Sequence, residues 1–106
     1  MQITDLQYQA RLAFDREVAK RNIKQQMTSR LTVQHNSGVF VVDSNLITFL
    51  NSWDDKELIL LDAYDTPIKI TRLELLDVAK KRYQEIMNEW VVAYDELKSI
   101  RSGKNV

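Results

Sequence analysis

The side chains that could do chemistry in this chain are few and scattered. His35 is the only histidine, and no serine or carboxylate stands at a spacing from it that marks a nucleophilic triad. Cysteine is absent, which removes disulfides, thiolate metal sites and thiol nucleophiles. Asp54, Asp55 and Glu57 offer hard oxygen ligands, yet without the repeating spacing and turn glycine of a calcium loop. Two glycines in 106 residues cannot build a phosphate-cradling loop. No spacing singles out a pair of carboxylates for acid–base work. The expectation is a non-enzymatic protein with no metal and no cofactor.

Charge narrows the partners. Fifteen basic and fifteen acidic residues leave no net charge, which removes the global argument for nucleic acid or an anionic membrane. The balance hides an asymmetry: residues 1–30 hold six basic and three acidic side chains, whereas residues 31–71 hold two and six. The acidic middle, Asp54, Asp55, Glu57, Asp62 and Asp65, is a candidate surface for a partner that recognises a polyanion. Arg11, Arg16, Lys20, Arg21 and Lys24 cluster near the start, but Asp15 and Glu17 are interleaved and form helix-spaced ion pairs. Lys80-Lys81-Arg82 fans out around a helix because consecutive residues point 100° apart, so nucleic acid is not the expected ligand. No apolar run approaches the ~20 residues needed to span a bilayer, and no basic start with an apolar run follows Met1, so a non-exported protein off the membrane is expected.

The elements that must position these residues read as one α+β domain over 1–106, mostly helical. Thr4 to Met27 has no Gly or Pro and reads as helix, with two apolar faces: Ile3, Leu6, Ala10, Ala13, Phe14 and Val18 on one, Leu12, Ala19, Ile23 and Met27 on another. Either the helix bends near Lys20-Arg21-Asn22 or it is clasped on two sides. Leu31–Gln34 and Val39–Asp43 read as a β-hairpin whose loop, His35-Asn36-Ser37-Gly38, offers Gly38 for a positive φ. Ser44 is placed to cap a short helix over Asn45–Trp53. Leu58–Leu61 and Ile68–Ile70 form a second small hairpin around the turn Asp65-Thr66-Pro67. Thr71-Arg72-Leu73-Glu74 has capping-box spacing and opens a long helix that ends near Ser102-Gly103. The predicted order is α-β-β-α-β-β-α, with the two long helices packed as an antiparallel pair.

The strongest pattern lies in the last helix. Leu76, Ala79, Tyr83, Ile86, Trp90, Ala93, Leu97 and Ile100 alternate steps of three and four, a seam that wants another helix at a shallow crossing. Its large and small residues alternate, which suits packing against a different helix, most simply the first of the same chain. Self-association through the remaining apolar width is the competing outcome. Leu75, Met87 and Tyr94 widen the seam on its flanks. Candidate interface residues are Tyr83, Met87, Trp90, Tyr94 and Trp53, since aromatic anchors dominate binding energy; the competing role for each is plain core.

Taken together, the chain resembles a small domain of unassigned biochemistry that recurs in tailed bacteriophages, beside or fused to tail-fibre assembly proteins. Such domains similarly have an Arg-rich first helix, here Phe14-Asp15-Arg16-Glu17-Val18-Ala19-Lys20-Arg21, and a two-strand element ending in an acidic residue, here Val39-Phe40-Val41-Val42-Asp43. A Trp-bearing segment follows, here around Trp53, then an [ST]-x-x-[EQ]-L start, here Thr71-Arg72-Leu73-Glu74-Leu75. The last helix closes with a pattern like Glu96-Leu97-Lys98-Ser99-Ile100, so the likeness runs from about Leu12 to Ile100. The chain lacks the Ala-rich, Gly-bearing middle usual in that family.

The resemblance implies a phage-encoded tail accessory protein that binds a tail polypeptide, as a fibre-assembly chaperone or a small virion component, in the host cytoplasm or the tail. It carries no defined functional residues. An alternative is an early phage protein that inhibits a host factor through the acidic middle.

Overall fold

A computed structural model describes residues 4–101, with side chains over 4–99. Ile3, the side chain of Ile100, and Ser102-Gly103 lie outside the described residues. The elements run α1 (Asp5–Ser29), β1 (Thr32–His35), β2 (Gly38–Val41), α2 (Ser44–Ser52), β3 (Glu57–Leu61), β4 (Pro67–Thr71) and α3 (Arg72–Arg101). The predicted α+β architecture, with two small antiparallel hairpins and a short helix between two long helices, is the observed one.

Helix α1 is one uninterrupted helix opened by a capping box: the Gln7 N–H donates to the Thr4 hydroxyl, and the Thr4 N–H donates to the Gln7 side-chain oxygen, each at 3.1 Å. It is clasped on one side only. Ile23 and Met27 pack with Ala79, Tyr83, Ile86 and Trp90 of α3, and Leu31 and Val42 complete that cluster. Leu6, Tyr8, Leu12 and Phe14 of α1 remain exposed. Of the two readings of its twin apolar faces, one partner lies within the chain and the second face is uncovered.

The remaining elements form a head around the first half of α3. Phe40, Leu50, Ile70, Leu75 and Leu76 are buried together, with Leu58, Leu60 and Ile68 packed against them. Val33, Leu46 and Ile47 touch both clusters, so the core is continuous from head to helix pair. The register Leu58↔Ile70 and Leu60↔Ile68 puts these alternate residues on the core-facing side, while Ile59 and Leu61 face outward.

Several local expectations change. His35 pairs with Gly38 across a two-residue loop, and the positive φ angles fall on Asn36 (48°) and Ser37 (71°), as a type I′ turn requires. Gly38 serves close approach instead: a Cβ there would stand 2.8 Å from Ile68 Cγ1, where the first hairpin crosses β4. The α2 cap is Asp43, whose Oδ1 accepts from the Leu46 N–H at 2.8 Å, and Ser44 is the first helical residue. Pro67 begins β4 instead of standing in the turn, opposite Leu61 at the strand end where its missing donor is tolerated. At the start of α3, Thr71 belongs to β4 and the capping box gives way to Arg72. Its N–H donates to Lys56 O, its Nε to Asp55 O and its Nη1 to Leu50 O, each at 2.8 Å, which seats a cation at the C-terminal end of α2.

Replacing Gly38 by Ala is expected to force the two hairpins apart and lower stability by about 1–3 kcal/mol, the range typical of overpacking. Urea denaturation checks this; an unchanged midpoint refutes the crossing as a constraint.

Candidate protein-binding surface

Helices α1 and α3 form a stalk that makes the molecule long: its extents are 65 × 24 × 21 Å and its radius of gyration is 19.7 Å, against about 13 Å for a compact domain of this length. A polar latch fixes the pair where stalk meets head. Arg30 grips the Glu89 carboxylate with both terminal nitrogens, the second at 3.1 Å to Oε2, while Arg82 Nε donates to Arg30 O at 2.9 Å and Arg82 Nη1 reaches Glu85 at 2.7 Å. The guanidinium of Arg30 holds the Glu89 carboxyl below its ordinary range, first through the hydrogen bond, against some desolvation. Arg82 is thereby withdrawn from the basic run with Lys80 and Lys81, and Lys81 is paired to Asp77 at 3.0 Å.

Four of the five candidate interface residues share one side of α3. Tyr83, Met87, Trp90 and Tyr94 are half-buried: the first three pack against the core, and the outer edges of all four line open clefts. Trp90 and Tyr94 floor a cleft walled by Glu17, Lys20, Arg21 and Lys24 of α1. The same two rings border the next cleft with Met87, Val91, Asp95 and Lys98, where Lys98 Nζ sits 5.8 Å from the Tyr94 ring centroid. Tyr83, Met87 and Trp90 therefore serve the core with part of each side chain and leave the rest accessible.

Helix α2 lies along this side of α3 only at the head, where Ser44, Ile47 and Thr48 face Lys80, Tyr83 and Gln84. Past its first turn α2 no longer lines this side of α3, where Val91 is exposed between the half-buried Met87 and Tyr94. Val91 is 58% exposed and completes the i, i+4, i+7 stripe of Met87, Val91 and Tyr94. Trp53 stands apart at the end of α2, 45% exposed and tilted against Phe49 with ring centroids 5.6 Å apart.

The acidic candidates do not form one surface of equivalent charges. Asp54 and Asp55 are exposed; Glu57 pairs with Lys69 at 3.2 Å. Asp62 is a loop organiser, its Oδ1 accepting from Tyr64 N–H at 2.9 Å and Thr66 N–H at 3.0 Å, its Oδ2 from Val39 N–H at 3.2 Å. These bonds, Thr66's foremost, hold its carboxyl below the usual range. Asp65 takes φ 61° and donates its N–H to Asp62 O, completing the turn. His35 is likewise occupied: Nε2 accepts from Thr71 N–H at 3.1 Å, which places the ring proton on Nδ1, and Asn36 Nδ2 donates to Lys69 O at 3.0 Å.

Among the described residues no group of three or more His, Cys, Asp or Glu is arranged to hold a metal, and no helix is long and apolar enough to cross a membrane. Leu6, Phe14 and Val91 are surface residues that the aromatic-anchor argument passed over. No protein-family model matches the chain, and no curated protein and no solved structure matches it significantly.

The lowered carboxyls of Asp62 and Glu89 give stability a defined acid limb. A folded-state pKa below the unfolded value contributes stability above the ordinary carboxylate range, and that contribution is lost as pH falls through the lowered value. Thermal melts across this range are expected to show Tm falling on acidification, and Asp62→Asn with Glu89→Gln to give a lower Tm at neutral pH and a shallower acid decline. An acid limb identical to that of the unsubstituted chain refutes the assignment.

Proposed function

We propose that this protein is a non-enzymatic bacteriophage tail accessory protein that binds other polypeptides through the apolar side of its helical stalk, in fibre assembly or as a small tail component. The observation that carries the binding role is the exposed Val91 set between the half-buried Met87 and Tyr94 beside Trp90, along an open cleft. Large rigid aromatics with exposed edges, set among aliphatic groups and rimmed by charge, have the composition of binding hot spots. The tail context rests on the resemblance of the Arg-rich helix, the acidic-ended hairpin and the closing helix to domains found with tail-fibre assembly proteins. Occupation of His35 and Asp62 in holding the head together supports a binding role over chemistry at those residues. The acidic middle supports the inhibitor reading less well, because Glu57 is neutralised by Lys69 and Asp62 is turned into its own loop.

A photo-crosslinking residue at Val91, expressed during infection, is expected to yield an adduct with a tail polypeptide that is absent when the probe stands at Glu74 on the first turn of α3. Adducts confined to host proteins overturn the tail reading. The amount of the protein in purified particles then separates its two forms: absence marks an assembly factor, stoichiometric presence a structural component.

A further inference from the structure

The second hairpin has one edge closed and one edge open. The Arg72 N–H donates to Lys56 O at 2.8 Å and the Asp62 N–H to Thr66 O at 2.9 Å, which fixes the hydrogen-bonded rows between β3 and β4 at the even-numbered residues. The odd-numbered residues therefore turn their backbone polar groups outward, Glu57, Ile59 and Leu61 from β3, and Pro67, Lys69 and Thr71 from β4. On β4 that edge is closed: Pro67 has no N–H, the Lys69 C=O accepts from Asn36 Nδ2 at 3.0 Å, and the Thr71 N–H donates to His35 Nε2 at 3.1 Å. β2 is closed likewise at Val39, whose N–H donates to Asp62 Oδ2 and whose C=O accepts from the Ala63 N–H. β1 presents the polar Thr32 and Gln34 at its outer edge. On β3, no partner among the described residues meets the outward N–H and C=O of Ile59 and Leu61, and their side chains are 71% and 62% exposed. An apolar strand edge of this kind is one that sheets otherwise cover, charge or interrupt.

We infer that the outer edge of β3 docks an extended segment of a different polypeptide, with basic residues at its ends, which adds to the hairpin as a third strand. Backbone groups repeating about 7 Å apart along an edge call for an extended chain, whose main-chain bonds give affinity while its alternate side chains give selectivity. A place for such side chains lies at the end of β3, where Leu60 and Leu61 border an open cleft with Phe40 and Val41 of β2 and Leu46 and Phe49 of α2. Charge selects the occupant. Residues 54–65 hold five carboxylates, Asp54, Asp55, Glu57, Asp62 and Asp65, against Lys56 alone, and Lys69 opposite Ile59 is committed to Glu57. Laying β3 against β3 of a second copy sets one such acidic segment beside another, whereas a strand flanked by Lys or Arg meets acid at both ends. The site is separate from the stalk clefts and does not depend on them.

The probe is a pool of short peptides with Val, Ile and Thr alternating at the centre and Lys at both ends, titrated into the isotope-labelled chain. Saturable binding is expected, with the amides of Ile59 and Leu61 shifting and becoming protected from hydrogen exchange. Affinity is expected to fall about tenfold or more when the same peptides carry alternate N-methylated bonds, or Glu in place of the Lys ends. Ile59→Pro copies the device at Pro67, removing an outward donor without touching a bond between β3 and β4, and is expected to abolish binding in a chain that stays folded. If that variant unfolds, the N-methylated peptides still decide, because they leave the protein unchanged. The proposal is overturned by the absence of saturable binding from the whole pool, by equal binding of the N-methylated or Glu-ended peptides, or by shifts confined to Val91 and its neighbours on α3. A doubling of the 12.4 kDa chain mass with Ile59 protected before any peptide is added overturns it too, by placing a second copy on the edge.

Discussion

One helix has to satisfy two packing demands at once. Helix α3 presents a seam from Ala79 to Leu97 toward α1 and a second stripe, a quarter turn away, that receives α2 at the head and nothing thereafter. Everything else follows from the mismatch in length between α3, at thirty residues, and α2, at nine. Where α2 is present, the two stripes are both filled and the buried residues Leu75, Leu76 and Ala79 follow one another along α3. Where α2 stops, only one stripe is filled and the aromatics of the other become surface.

The head achieves its tightness without buried polar side chains. Its joints are made at the periphery instead, by groups that bond to backbone: Arg72 to the carbonyls of Leu50 and Asp55, Asp62 to three N–H groups, His35 to Thr71, Asn36 to Lys69. Two-stranded hairpins are marginal in isolation. Here each is completed by the other, and the bare Cα of Gly38 lets them cross within reach of Ile68.

The architecture was legible because its signals are periodic. Three–four spacing marked α3 and its partner, and alternation marked Leu58, Leu60, Ile68 and Ile70. Local chemistry was less so, since Asp43 and Ser44 are both good caps and only the backbone geometry decides between them. Gly38 invited a positive-φ reading that the tertiary approach of Ile68 displaced. Thr71 and Glu74 fit a capping box, yet the strand claimed Thr71 because β4 continues into α3 without a loop. The surface was half legible. Counting alone separates the two faces of α1, and Met87, Val91 and Tyr94 stand at helical spacing. Weighting aromatics over spacing left out Val91, which is exposed on α3, and set Trp53, at the end of α2, beside residues of α3.

The Arg30–Glu89 latch joins residues 59 positions apart. The part of the closure entropy that grows with loop length is about 3.6 kcal/mol for a span of that size, whereas the hairpins close loops of a few residues. The head closes shorter spans, 36 residues at His35–Thr71 and 22 at Leu50–Arg72, and α1 joins it across a longer gap. The reverse course for local opening would lift α1 from Ala79 and Ile86 before the head opens. In hydrogen-exchange terms that course would make the molecule a slow knot with a fast arm, and a partner on the stalk would also set how often that arm lifts.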